Sequence, residues 1–407
     1  MLAVADTDVP ATTAAPGRAE LAIVLGLITA IGPLSIDMYL PAFPQLAADF
    51  AVPDAQVQLS LTACLIGLAV GQLTAGPLSD RWGRRRPILV AVATYAIFSV
   101  LCAIAPSAPL LAGFRLLQGL AGGAGVVVAR ALVRDLYSGV PAAKFFSQLT
   151  LIFGVAPIAA PSLGSAVLRA TSWPGIFVTL GVLALLLTGL VAWRLPETLP
   201  PQRRSTGGLA DLARTTRTLC TDRIYLGYAL SQALAFAAMF SYIAGSPFVL
   251  QDGYGLSPTA FSLLFGLNAT GLIAISQVNR WLLDRFTPRA LLTGTLLAEL
   301  AAGLGVLVAA ALGNLIALVA ALFLLVSTIG MVTPNGTALA LDRHPQRAGA
   351  AAALLGGIQS VVAASAAPLV GLAAPGQGIP MAVAIVCAAT LALLSVLTLA
   401  RAPATNT

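Results

Sequence analysis

The stretch Gly76-Pro-Leu-Ser-Asp80-Arg81-Trp-Gly83-Arg84-Arg85-Arg86-Pro87 is a short polar turn set between two long apolar runs. Gly83 and Pro87 shape the turn, Gly76 permits close helix packing, and Asp80 can pair with an arginine or sit at a neighbouring helix N-terminus. Such a pairing latches the ends of the flanking helices together. The competing reading of the individual arginines is that a basic loop fixes topology. Outward from this turn the whole chain repeats one pattern: apolar runs of about 20 residues, long enough to cross a hydrocarbon core of ~30 Å, with charged or Pro/Gly-rich interruptions.

Runs of spanning length lie near 20 to 41, 57 to 78, 86 to 106, 108 to 131, 145 to 168 and 173 to 194, and again near 224 to 250, 258 to 279, 289 to 311, 314 to 339, 347 to 373 and 379 to 400. The pattern predicts an all-α membrane protein of twelve transmembrane helices in two six-helix bundles. Its parts are a tail over 1–19, a bundle over 20–194, a linker over 195–223, a bundle over 224–400 and a tail over 401–407. Of the 407 residues, 58% are hydrophobic and 9% charged, which excludes an ordinary soluble domain, and the continuous runs exclude a β-barrel.

The net charge of +7 rests on arginines and one lysine, Lys144. They form no basic stripe for a nucleic acid. Instead Arg81, Arg84, Arg85 and Arg86 follow span two, Arg130, Arg134 and Lys144 follow span four, and Arg194, Arg203, Arg204, Arg214, Arg217 and Arg223 fill the linker. Arg280, Arg285 and Arg289 follow span eight, Arg343 and Arg347 span ten, and Arg401 span twelve. With Arg18, all these fall on one side. Arg115 lies within a span and Arg169 on the far side, so both termini are expected to be cytoplasmic. The segment Met1 to Arg18 lacks a basic start before an apolar core, so the first span is expected to stay in the protein. Cys64, Cys102 and Cys387 lie in apolar runs and Cys220 in the linker, a pattern of packing residues rather than of a disulfide framework.

The halves repeat. Asp80-Arg81-Trp82 recurs as Asp284-Arg285-Phe286 at an offset of 204, and Ala159-Ala160-Pro161-Ser162-Leu163-Gly164 as Ala366-Ala367-Pro368-Leu369-Val370-Gly371 at an offset of 207. Two bundles related by a parallel repeat place a cavity between them near the bilayer midplane.

Asp37, Arg115 and Glu299 lie well inside their spans. A charged, unpaired carboxylate at Asp37 costs several kcal/mol in an apolar setting. If its surroundings alternate between two conformations, it can bind and release a proton once per cycle. The competing reading places Asp37 near the outer interface, simply hydrated. Arg115 keeps its charge and must find a carboxylate, carbonyl or water. It is expected to pair with polar groups of spans one and two, such as Gln72 and Asp37, or to act as a structural hydrogen-bond hub. Glu299 lines the cavity, pairs with a neighbouring span or faces lipid in its protonated form.

The turn after span two resembles the signature loop of the major facilitator superfamily, G-x-L-a-D-r-x-G-r-k-r, with Gly76, Asp80, Arg81, Gly83, Arg84 and Arg85 in register. The resemblance implies two bundles rocking about a central site, with this loop stabilising the state open to the outside. The second-half copy lacks the glycines, so only part of a latch is implied there. Span one, Leu34-Ser35-Ile36-Asp37-Met38-Tyr39-Leu40-Pro41-Ala42-Phe43-Pro44, is similar to the opening signature of Bcr/CflA-type exporters, proton-coupled bacterial pumps of the twelve-span drug:proton antiporter group. Arg115-Leu-Leu-Gln118-Gly119 is similar to the R-x-x-q-G motif of proton-coupled members. Gly154-Val-Ala-Pro157-Ile-Ala-Ala-Pro161-Ser-Leu-Gly164 is similar to the antiporter motif, with Ala156 and Ala160 where glycines are often found. Span nine lies peripherally in this superfamily, which favours a packing or interface role for Glu299.

The expected cavity lining is aromatic and amide: Tyr39, Phe43, Gln118, Gln232, Phe236, Phe240, Tyr242, Asn268, Asn335 and Gln359. Such a surface accepts varied apolar molecules with a few hydrogen bonds. Pro157, Pro161 and Gly164 in span five, and Gly356, Gly357 and Pro368 in span eleven, are expected to bend those helices. His344, beside Arg343 and Arg347, reads as a solvated loop residue. The sequence holds no P-loop, nucleotide fingerprint or metal cluster, so no cofactor is expected and the proton gradient is the expected energy source. The reading is a monomeric, multi-pass bacterial inner-membrane exporter of small amphipathic drugs, of the chloramphenicol or bicyclomycin kind, in exchange for protons. The alternatives are a proton-coupled or facilitative metabolite transporter of the same fold and, more distantly, a non-transporting membrane receptor or scaffold.

Overall fold

A computed structural model describes residues 18–137, 139–204, 216–344, 348–371 and 378–400. Lys144, Arg214, Arg347, Arg401 and most of both tails therefore lie outside the described residues or side chains. Twelve long helices follow one another: α1 (Arg18–Asp37), α2 (Asp54–Trp82), α3 (Arg85–Ala103), α4 (Ala108–Leu136), α5 (Gly139–Ala170), α6 (Trp173–Arg194), α7 (Arg223–Pro247), α8 (Pro258–Leu282), α9 (Pro288–Ala311), α10 (Leu315–Asp342), α11 (Ala348–Gly371) and α12 (Gly378–Thr398). Ten are long and apolar enough to cross a membrane, and α5 and α11 carry the shorter apolar segments Val155–Ala170 and Ala351–Ala366. A helix satisfies its own backbone polar groups, which is why apolar runs of this length adopt it in lipid.

The sequence repeat reappears as packing. In the first bundle α2 packs on α4, α3 on α4 and α6, and α1 on α4, α5 and α6; in the second, α8 packs on α10, α9 on α10 and α12, and α7 on α10, α11 and α12. Each second-half pair lies six helices on from its counterpart. The bundles meet along α2 with α11 and α5 with α8.

The α2–α4 crossing is the tightest. A Cβ on Gly67 or Gly71 would run into the carbonyls of Leu116 or Leu120, and one on Gly119 or Gly123 into those of Cys64 or Leu68. Main chain rests on main chain, as small residues permit in lipid. This gives the glycine of the Arg115–Gly119 motif its physical reason.

Span one departs from the expected 20 to 41. α1 stops at Asp37, a single 3-10 turn follows at Leu40–Ala42, and a short helix runs Phe43–Phe50. Pro41 and Pro44 explain the break: without an N–H and with φ fixed, each suits a helix's first turn and cannot continue the one before. α5, by contrast, remains helical through Pro157 and Pro161.

Candidate functional site

Arg115 is fully buried in the first bundle. Its Nη1 donates to Gln118 Oε1 at 2.6 Å and its Nη2 to the Ser35 carbonyl at 2.6 Å, and the guanidinium lies 4.3 Å from the Tyr39 ring centroid. Gln118 Nε2 passes the chain on to Ser99 Oγ at 2.7 Å, while Ser35 Oγ and Tyr95 OH stand 2.6 Å apart. The hub joins α1, α3 and α4. It corrects two expectations: Arg115 pairs with neither Asp37 nor Gln72, and Gln118 is not a lining residue, because both ends of its amide are spent inside the bundle. The reason is helical geometry. Successive side chains turn by ~100°, so Ser35 and Asp37 point nearly opposite ways.

Asp37 is therefore turned out of the hub. It is the last residue of α1, only 5% exposed, and no hydrogen-bond or ion-pair partner meets it among the described residues. It lies within electrostatic range of Tyr242 on α7. Tyr242 OH accepts from Asn268 Nδ2 at 2.8 Å, and its ring stacks on Phe265 with centroids 5.7 Å apart. Both bundles thus contribute to the surroundings of Asp37. Gly164 of the antiporter motif helps set them, since a Cβ there would collide with the Met38 carbonyl, just past Asp37. Gly154 lies on the same helix, outside the residues whose surroundings are described.

The remaining lining expectations divide. Gln232 accepts from Thr337 Oγ1 at 3.2 Å and reaches Gln359 at 3.5 Å, joining α7, α10 and α11, with Phe236 and Phe240 packed 5.2 Å apart on the same helix. Asn335 is corrected: its Nδ2 donates to Asn279 Oδ1 at 2.7 Å and to the Met331 carbonyl, so it clasps α10 to α8. Tyr39 and Phe43 lie just past the break that ends α1. Both are fully buried; Tyr39 lies under Arg115 and near Ser60, and Phe43 packs on Tyr39 and on Phe248 of the opposite bundle. Glu299 is fully buried on α9, so it does not face lipid, and among the described residues neither carboxyl oxygen has a hydrogen-bond partner.

The turn after α2 forms a latch at the arginine-rich end. Arg84 is buried between Asp80 (Nη1, 2.6 Å) and Asp135 at the end of α4 (Nε, 2.7 Å), and Nη1 also reaches Ser79 Oγ. Arg81 and Arg86 are exposed, whereas Arg85 donates to the Ala192 carbonyl at 2.7 Å. Sequence reasoning missed Glu197, whose carboxylate accepts from the N–H groups of Arg84, Arg85 and Leu199 and so caps α3. Partial burial pushes its pKa up, but these three backbone donors and nearby Arg204 outweigh that and hold it below the usual glutamate range. Gly83 at φ +88° is required here, since a Cβ would strike Glu197. All these partners lie in the first bundle or the segment just after it, so the latch ties α2, α3 and α4 rather than bridging the bundles. His344 also departs from the solvated reading. Its Nε2 stands 3.0 Å from Asp222 Oδ2, and Asp222 caps α7 through Ile224 and Tyr225.

The Major Facilitator Superfamily profile matches residues 25–368, and the chain belongs to that family: it is a multi-pass membrane transporter, not an enzyme. Its relatives by sequence are consistent with the Bcr/CflA-type resemblance of span one. The chain is 40% identical over 87% of its length to an uncharacterized MFS-type transporter, YdgK, of Bacillus subtilis, covering 89% of that protein. It is 30% identical over 86% of its length to a bicyclomycin resistance protein homolog of Haemophilus influenzae, covering 88% of that protein. Among solved structures, a bacterial homolog of the human lysosomal transporter Spinster superposes with a TM-score of 0.75 at 17% identity, over 96% of this chain and 100% of that one.

Proposed function

We propose that this transporter exports small amphipathic drug-like molecules in exchange for protons by alternating access, as a monomer in the bacterial inner membrane with both termini cytoplasmic, and without ATP or any cofactor. The observation that carries the reading is Asp37, a buried carboxyl without a partner among the described residues, at a helix break and within electrostatic range of Tyr242 of the other bundle. The kinship with a bicyclomycin resistance protein homolog supports the drug class.

In this mechanism Arg115 does not touch the coupling carboxyl. It holds the Ser35 carbonyl and thereby fixes the end of α1, so the electrostatics of Asp37 depend on what the second bundle and water bring to it. When the bundles rock, Tyr242 moves relative to Asp37 and the polarity around the carboxyl changes, which lets it take a proton on one side and lose it on the other.

Asp37→Asn tests this in vesicles with an imposed pH gradient and chloramphenicol as probe. Uphill movement is expected to vanish while the purified variant remains monodisperse. Wild-type uphill transport by the variant would refute the coupling role. Probe moving with the proton rather than against it would favour the metabolite-importer reading.

A further inference from the structure

Among the described residues, three side-chain hydrogen bonds cross between the bundles, and all lie in the half of the spans remote from the arginine loops. Gln58 Nε2 donates to the Ala244 carbonyl at 3.1 Å, Thr62 Oγ1 to the Ala364 carbonyl at 3.1 Å, and Ser262 Oγ to the Pro161 carbonyl at 2.9 Å. The donors sit at matching places. Gln58 and Ser262 are 204 residues apart, the offset that relates Asp80 to Asp284, so each is the same position of its own half. The first reaches from the start of α2 to α7, the second from the start of α8 to α5. Thr62, one turn further along α2, has Gly266 as its counterpart, which lies against Ile158 of α5.

Two of the acceptors are carbonyls that their own helices leave open. Ala364 lies four residues before Pro368, which has no N–H to return the helical bond. At Ala244, α7 gives way to a wider turn after Pro247, and the Phe248 N–H bonds Gly245 instead. A buried carbonyl without a donor costs free energy, so an outside hydroxyl or amide that reaches it is favoured. Ser262 has a second choice: its hydroxyl also stands 2.8 Å from the Pro258 carbonyl of its own helix. One proton serves one acceptor at a time, so this clasp can be released without leaving the hydroxyl unbonded.

We infer that Gln58, Thr62 and Ser262 are the gate residues of the far end, a set of clasps onto carbonyls of the opposite bundle, two of them exposed by helix interruption, that holds this end shut. Asp54 and Asp252 lie within electrostatic range across the same seam and repel, so the clasps work against a separating force. The inference rests on alternating access but not on which molecule is carried or whether protons drive it.

The test is a distance measurement that needs neither substrate nor gradient. With exposed Cys220 and Cys387 replaced by serine, spin labels at Gln56→Cys and Gly253→Cys report the separation of the bundles at this end. In lipid, the unmutated gate should give mainly the short distance. Gln58→Ala and Thr62→Val should each raise the ratio of long to short by about fivefold, the effect of one net hydrogen bond. Ser262→Ala should raise it less, because the hydroxyl it removes keeps the Pro258 carbonyl when the clasp opens, and the three together should make the long distance dominant. Thr62→Ser keeps the donor and should match the parent. Ser241→Ala removes a buried hydroxyl bonded to its own helix and should leave the distribution unchanged. Each single change removes one hydrogen bond from a large bundle, and each is read only on monodisperse protein. A parent already dominated by the long distance, a distribution that none of the three substitutions moves, or an equal shift from Ser241→Ala would overturn the assignment.

Discussion

Two residues separate Ser35 from Asp37, and on a helix that spacing turns one side chain into its own bundle and the other out of it. The guanidinium of Arg115 fixes the first and leaves the second alone. A lysine in its place keeps the charge but loses the planar fork that serves Gln118 and Ser35 together, and the stacking on Tyr39. Arg115→Lys is expected to cost about 1–3 kcal/mol of stability, seen as a lower melting temperature in detergent, and to impair transport through the displaced end of α1. Asp37 was legible in the sequence as a carboxyl in an apolar run. Its orientation was not, because the run continues apolar past residue 37 and hides the break that Pro41 and Pro44 impose. Gln118 and Asn335 were misread for a related reason: an amide in a span needs partners, and composition alone does not say whether those lie inside a bundle or across a cavity.

At the scale of elements, the latch shows what a loop motif contains and what it omits. Asp80, Gly83 and Arg84 could be read from one contiguous stretch. Asp135 and Glu197, which complete it, come from the end of α4 and from the segment after α6 and carry no local mark of the pairing. Glu197 also gives the latch a pH dependence. Its folded pKa is held down, so its stabilising contribution is present in full above the ordinary glutamate value of about 4.3 and fades as pH falls through the lower folded value. The melting temperature of Glu197→Gln should therefore fall below that of the parent at neutral pH, and the difference should close as the pH drops below about 4. The group is largely solvent-exposed, so the effect is small and shrinks with added salt.

At the scale of the whole molecule, span number and the two-bundle plan were legible because hydrocarbon thickness leaves little choice of element or length. The interface between the halves was not, since it depends on which faces of α2, α5, α8 and α11 meet. The proposed membrane orientation rests on the arginine bias and has a direct check. Cys220, exposed just before α7, should react with a membrane-impermeant thiol reagent in inside-out vesicles and stay unlabelled in right-side-out ones. The opposite result would invert the assigned topology.

The bare crossing of α2 and α4 has a mechanical result. With no side chain between the two backbones at Gly67, Gly71, Gly119 and Gly123, there is no rotamer to flex and soak up a push. The pair is a stiff beam. α2 has 29 residues, a rod of about 43 Å, so a slight tilt near its middle becomes a wide sweep at its tips. Any tilt imposed on α2 at this crossing is thereby carried, as leverage, to both extremities of the rod.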